Sequence, residues 1–477
     1  MKVTNATAPT PARARRGRAF VAPRFSGSVL RFARRVAGLY LRLAMGIDRV
    51  QLHEAQRLYD SIARFQAGEQ RLLIVFRHVA TWDGPLIVWA VAVGLRRWCR
   101  AHRRRLRSMP HTHFLYGKDV LNWAGPLARW AFPRLGGVPV VNGKADRASL
   151  STIRRLAVSG RFPLALAPEA QVTYHMFRVA DLAPGASSIA AWAADGSRAS
   201  QTASDAPSRP ISVTLLPVAI GYDYGRDEST TLAGVIGRIT VALDAPDRPT
   251  DRKPLPEPRD ALLSLTATLL DLLEVEYASA SAGGLPPTVT PDAQLALQRR
   301  IDRVCAAILS RGEAIFAYSS DDPTLARVFR LRYRIMESVY REDVDPDRLS
   351  PAERALADHR AELAAAAQRH QQIVDVLEYV RPDYIEAGCS TKRLVEYALN
   401  LLDVTNRMRG GNIDSRYSPS GKHAHLLFGD PIDAVPRVAG AAVGSARGAT
   451  AAITDRTRAA FDALVLDLEA RLGSPRA

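Results

Sequence analysis

Residues Arg71–Ile87 read RLLIVFRHVATWDGPLI. The five apolar residues Leu72–Phe76 have the length and composition of a fully buried strand. That strand delivers His78 to its end. Asp83 follows five residues later, then Gly84-Pro85 and an apolar run through Val93 that suits a buried helix. On one continuous helix, positions five apart lie ~140° around the axis and cannot face each other. With His78 in a loop and Asp83 at the helix mouth, the chain folds back. The carboxylate then bonds one ring nitrogen and leaves the other as a general base. The same residues also read as a plain helix start, with Asp83 as N-cap, Pro85 in the first turn and a histidine bonded only to backbone. Both readings stand at this level.

Outward from this stretch, strand-like and helix-like runs alternate to about Asp244, the mark of an α/β protein. The further strands expected are Val138–Val141, Leu164–Ala167, Ile211–Ile220 and Val235–Leu243. The Ser/Ala/Asp stretch between Trp192 and Pro210 reads as a surface loop. From about Pro256 to Arg409 the pattern is helical. Ser350-Pro351-Ala352-Glu353 gives a helix start with Ser as N-cap, Pro at N1 and Glu at N3, and that helix is expected to run to Val380. Another opens at Gly388 and Ser390 and ends at Gly410-Gly411. His425–Asp433 reads as a strand and tight turn, and Thr454–Leu472 as a closing helix. Upstream, a helix is expected over roughly His53–Gln66.

The chain therefore divides into a disordered basic leader (1–26), basic amphipathic helices (27–70), an α/β core (71–250) and a helical region (251–420). A closing strand and helix (421–477) follow. We read 251–420 as an insertion whose far side returns to complete the sheet; the other arrangement ends the sheet at Arg238–Leu243 and appends the helices.

The 477 residues carry a formal net charge of +17, a bias that attracts nucleic acid, anionic membrane or phosphorylated substrates. Met1–Ile47 holds ten Lys/Arg and no acid, and Arg96–Arg107 holds seven arginines. In Ser28–Met45, Val29, Phe32, Val36, Leu39, Tyr40 and Leu43 form a stripe with Arg31, Arg34, Arg35 and Arg42 beside it. Such a helix lies in a lipid interface or docks on its own domain. No stretch reaches the ~18–20 apolar residues of a membrane span, and the start lacks a secretion signal's apolar core; an Arg-rich leader also suits a transit peptide. The expectation is a cytoplasmic protein, peripheral on the membrane. Three scattered cysteines fit a reducing compartment. The arginine clusters lack interleaved aromatics or a reading motif, which argues against nucleic acid. His111-Thr112-His113 reads as loop rather than metal site, His175 is notable only for its closeness to Glu169, and His423 and His425 read as structural on a strand edge.

Four pieces occur in order: RHVATWDGP at 77–85; KDVLNWAGP at 118–126 with RLGGVPVVNGK at 134–144; LALAPEA at 164–170; and LLPVAIGY at 215–222. This succession resembles the glycerolipid acyltransferase superfamily of lysophosphatidic acid and glycerol-3-phosphate acyltransferases, whose first block is H-x-x-x-x-D. The resemblance extends to Pro217 in the fourth block, Gly185-Ala186 after the third, and the closing FGDPI at 428–432. It implies a mixed sheet flanked by helices and no cofactor. It implies phospholipid biosynthesis, with acyl-CoA or acyl carrier protein as donor and a hydroxyl of a lysophospholipid or glycerol phosphate as acceptor. His78 is then the base, Asp83 its orienting partner, and Pro168, Glu169, Lys118 and Lys144 or Arg147 hold the acceptor, with no metal and no covalent acyl-enzyme. Asn142 stands where the family has a phosphate-binding Arg, Ala167 replaces Phe and Ala170 replaces Gly. These departures bear on the acceptor more than on the chemistry, and they motivate the alternative of a non-catalytic lipid-binding protein on the same scaffold. Loss of Gly at 170 restricts any turn that needs positive φ.

Overall fold

The computed structural model describes residues 12–17, 20–123, 125–141, 146–202, 211–225, 227–243, 257–277, 292–434 and 446–473. They form two compact units. One comprises Phe20–Ala233, Gly388–Glu396 and Ser418 onward; the other comprises residues 12–17, the described part of Gly234–Ala387, and Tyr397–Tyr417.

The first unit is α/β, with a mixed sheet flanked by helices. Its strands are β1 (Ile47–His53), β2 (Gln70–Phe76), β3 (His113–Gly117), β4 (Gly137–Val140), β5 (Leu164–Leu166), β6 (Ser212–Asp223), β7 (Lys422–Phe428) and β8 (Ile432–Asp433). In space the order is β1-β7-β6-β2-β5-β3-β4, with β8 paired to β6. From β6 to β4 neighbours run parallel, as do β1 and β7, whereas β6 is antiparallel to β7 and β8. Strand β7, late in the chain, thus inserts between two much earlier strands: Leu426 pairs with Ile220 on one side and Leu52 on the other.

The helices of this unit include α1 (Gly27–Met45), α2 (Ala55–Gln66), α3 (Asp83–Trp89), α4 (Leu95–Ala101), α5 (Gly125–Arg134), α6 (Arg147–Ser159), α7 (Gly185–Thr202) and, at the end, Ala446–Gly473. A π-helical turn at Ala90–Gly94 joins α3 to α4. Side chains alternate across a strand. On β2, Leu73 and Val75 enter a core with Ile153 and Leu156 of α6, Ala190 and Ala193 of α7, and Phe461 and Leu464 of the last helix. Leu72, Ile74 and Phe76 face the opposite side, where α2 packs.

The second unit is helical: Pro258–Tyr277, Ala293–Ala314, Thr324–Val339 and Pro351–Leu377 are its long helices. Ser350 caps the last of these in a capping box with Glu353. Ala357, Ala361, Ala364 and Ala367 are buried along it, small residues that let neighbouring helices approach. A buried Arg327–Glu313 pair at 2.8 Å lies inside this unit.

Several expectations are corrected. Val235–Leu243 is not a strand but the second half of a helix, Glu228–Leu243; its buried Leu232, Val235 and Ile239 recur at helical spacing. The sheet consequently does not end at Arg238–Leu243. The stretch after Trp192 is helix as far as Thr202 rather than loop; residues 203–210 lie outside the described residues. His113 opens strand β3, and β1 was not expected at all. Of the leader expected to be disordered, Arg15–Arg16 pair with Tyr340–Arg341, and the Ala14 N–H donates to Asp358 at 2.8 Å. No helix among the described residues is long and apolar enough to cross a membrane.

Candidate active site

Four parallel strands end on the same edge of the sheet. His78 follows β2, Pro168-Glu169 follow β5, Lys118 follows β3, and Arg147 opens α6 after β4. In open parallel sheets this carboxyl edge is where ligands bind.

The loop after β2 folds back as its residue spacing requires. Asp83 is the first residue of α3, with Trp82 at the cap position. The Asp83 carboxylate does not cap the helix. Its Oδ2 accepts the Ala80 N–H at 2.7 Å and lies 3.1 Å from His78 Nδ1, while Oδ1 accepts the Tyr222 hydroxyl at 2.5 Å. Asp83 is fully buried; the His78 side chain keeps 23% of its surface exposed. The ionised carboxylate can only accept, so it fixes the proton on Nδ1 and leaves the Nε2 lone pair outward. Among the described residues Nε2 has no hydrogen-bond partner. Burial and the neighbouring Asp83 charge raise the Tyr222 hydroxyl well above its ordinary pKa. It therefore remains a donor to Oδ1.

The backbone of His78 is held at both ends. Its N–H donates to Glu169 Oε2 at 2.7 Å, and its carbonyl accepts the Thr173 N–H at 2.7 Å. Glu169 Oε1 accepts Arg77 Nε at 2.7 Å, and neither side chain of that pair has any exposed surface. Arg77 also donates to the carbonyls of His175 and Arg178. Glu169 thus fastens the His78 loop to the turn after β5 rather than opening toward a ligand; both its oxygens are engaged within the protein. Pro168 is buried, and its carbonyl accepts the Ala183 N–H at 2.8 Å. Ala170 adopts a left-handed backbone with φ 62°.

The expected acceptor-binding cations are less concentrated. Lys118 is half-buried, its N–H bonded to the Val140 carbonyl at 2.8 Å; against the upward pull of burial, hydrogen bonds from Ser149 and the Ala148 N–H, and after them the Lys118 charge, hold Asp146 below the usual carboxylate range. Arg147 is exposed at the start of α6. Lys144 and Asn142 lie outside the described residues. His111 and His113 each donate a ring N–H to backbone, at Leu135 and Gly136. Among the described residues no group of three His, Cys, Asp or Glu side chains is arranged to hold a metal.

Two groupings were invisible in the sequence. Lys422, the first residue of β7, is fully buried with its ammonium 4.1 Å from the Trp82 ring centroid, and it donates to Ser418. Burial pulls its pKa down to about 7. Trp82 meets Tyr222 edge-on at 6.0 Å, so Lys422, Trp82 and Tyr222 form a wall behind Asp83. Farther along, His425 pairs with Asp223 at 3.0 Å and with His53 at 3.0 Å, and Lys392 joins Asp223 at 3.4 Å. His425 therefore sits inside the sheet, not on an edge strand. Each contact joins residues far apart in the chain, and only the apolar pattern around them was legible.

Comparisons with family models, curated proteins and solved structures give no match to this chain.

Proposed function

We propose that the protein is an acyltransferase that moves a fatty acyl group from a thioester, on coenzyme A or acyl carrier protein, to a hydroxyl of a lysophospholipid or glycerol phosphate. The fold is then read as a glycerolipid acyltransferase core. The observation that carries this reading is the His78 ring at the carboxyl edge of the sheet, anchored through Nδ1 by a buried carboxylate, with no hydrogen-bond partner on Nε2 among the described residues. A hydroxyl is a poor nucleophile near neutral pH, and a positioned imidazole is the side chain suited to activate it. Nε2 takes the hydroxyl proton as the oxygen attacks the thioester carbonyl. The C–S bond then breaks, and the thiolate leaves with the proton returned from the imidazolium. Asp83 stabilises the transient positive charge, and Tyr222 keeps Asp83 in place.

The acceptor's phosphate falls to Lys118, Arg147 and Lys144. The rival reading, a lipid-binding scaffold without catalysis, draws on the alanine that keeps a left-handed conformation at 170. Radiolabelled acyl-CoA and acyl carrier protein, offered with glycerol 3-phosphate and a panel of lysolipids, separate the two. Transfer by the wild type that His78→Ala abolishes supports the enzyme. No transfer to any acceptor, with lipid binding intact, supports the scaffold.

A further inference from the structure

We propose that the outward face of α1, extended by α5, is a docking surface for an anionic lipid bilayer. This goes beyond the acyl-transfer reading and rests on different residues. Leu30 and Leu41 of α1 are buried against the protein. On the other side Phe32, Val36, Leu39, Tyr40 and Leu43 are exposed, Leu43 by 75% and Phe32 and Leu39 each by 60%. At ~100° per residue these five fall within an arc of about 100°, on the side away from Leu30 and Leu41. The stripe is therefore an outer surface in the folded protein, not a buried seam.

Helix α5 stands beside it. The Arg24 and Ser26 N–H groups, just ahead of α1, donate to the Pro133 and Arg134 carbonyls at its end, each at 2.8 Å. Here too an apolar pair three residues apart, Leu127 and Trp130, is exposed, and the Arg134 guanidinium lies 4.9 Å from the Trp130 ring centroid. Large apolar side chains exposed in a run along one helix face mark a surface that meets a partner.

Charge identifies the partner. Arg31, Arg35 and Arg42 are exposed and lie within about 80° of Leu39 around the helix, along one flank of the stripe, and Arg42 also pairs with Asp48 at 3.4 Å. Arg34 turns back toward the protein and reaches Met109 Sδ at 3.1 Å. A second copy docking its α1 antiparallel on this face, across a two-fold axis perpendicular to the helix, would set arginine flank near arginine flank, and like charges oppose that contact. Anionic headgroups instead pair with the guanidinium groups while the apolar stripe enters the acyl boundary. With no spanning helix among the described residues, α1 lies in the plane of the interface.

The full chain is tested by flotation with vesicles of phosphatidylcholine alone and with roughly one-third phosphatidylglycerol. The wild type should float with the anionic vesicles and much less with the neutral ones. Leu39→Asp/Leu43→Asp should lower partitioning at least tenfold. Arg31→Gln and Arg35→Gln should each lower it about fivefold at low salt. Melting curves confirm that these surface variants remain folded. Flotation that is absent, indifferent to lipid charge or unchanged in the leucine variant overturns the proposal. So does a concentration-dependent dimer that Leu43→Asp dissociates without any vesicle binding. His78→Ala should float like the wild type, so failed acyl transfer and failed docking are told apart.

Discussion

Replacing Tyr222 with Phe deletes one hydroxyl and little else. In the native protein that hydroxyl bonds Oδ1 of the fully buried Asp83, 139 residues earlier in the chain. Two bonds to Oδ2 survive the change, from His78 and the Ala80 N–H. Oδ1 loses its partner in a place where water cannot replace it. A hydrogen bond to a charged group contributes about 1.5–3 kcal/mol. If that whole amount acts on the imidazolium-like transition state, the rate falls about 10- to 150-fold, at ~1.4 kcal/mol per decade. The lost group touches neither donor nor acceptor, so KM should stay within about threefold while kcat carries the loss. Phe fills nearly the same space, and the melting temperature should drop by only a few degrees. The assay is steady-state acyl transfer alongside a thermal melt. An unchanged kcat in a folded Tyr222→Phe protein, or a loss carried by KM alone, refutes the view that the phenol braces Asp83 for catalysis.

Three further outcomes follow from the same geometry. Glu169→Ala leaves Arg77 buried without its counter-charge, and breaking such a pair costs about 3–5 kcal/mol; urea unfolding should show a loss of this order, and a stable variant with only a raised KM would instead assign Glu169 to the substrate. Ala170→Gly relieves a left-handed backbone that opposes an L side chain by about 1–2 kcal/mol, offset by about 0.4–1 kcal/mol of extra freedom in the unfolded chain, so the melting temperature should hold or rise slightly, and a clear fall contradicts the strain. His53, His111 and His425 each have their pKa lowered to about 4, by burial first. Each is neutral in the fold while its unfolded counterpart binds a proton near pH 6.5, so stability holds above about pH 6.5, falls as pH drops toward 4 and levels off in this term below that. Urea midpoints across that range should fall, and a flat profile denies the three neutral histidines.

The strand Gln70–Phe76 and the fold-back of the H-x-x-x-x-D stretch were legible because both are local: a run of apolar residues, then a spacing that one helix cannot satisfy. Helix caps were legible for the same reason, as the Ser350–Glu353 capping box shows. Composition misled where β-branched residues sit at helical spacing, as in Val235, Ile236, Ile239, Thr240 and Val241. Ala193 and Ala194 fall in the stretch read as a surface loop, yet they are buried, because a small side chain suits a helix packed closely on a sheet. The alternation in Val50–His53 was present, but β1 finds its partner strand more than 370 residues later. The brace from Tyr222, the clasp of Glu169 on the His78 backbone and the Lys422 ammonium over Trp82 depend on such distant pairings. No local pattern announces them.

The central claim is that the outward nitrogen of His78 accepts a hydroxyl proton during acyl transfer from a thioester. The most direct measurement is the rate of labelled acyl transfer to the lysolipid and glycerol 3-phosphate panel for wild type and for a folded His78→Ala protein. The account predicts clear transfer by the wild type and a loss of at least about a hundredfold in the variant. Transfer that persists at the wild-type rate without the imidazole, or a wild type that acylates none of these acceptors, contradicts it.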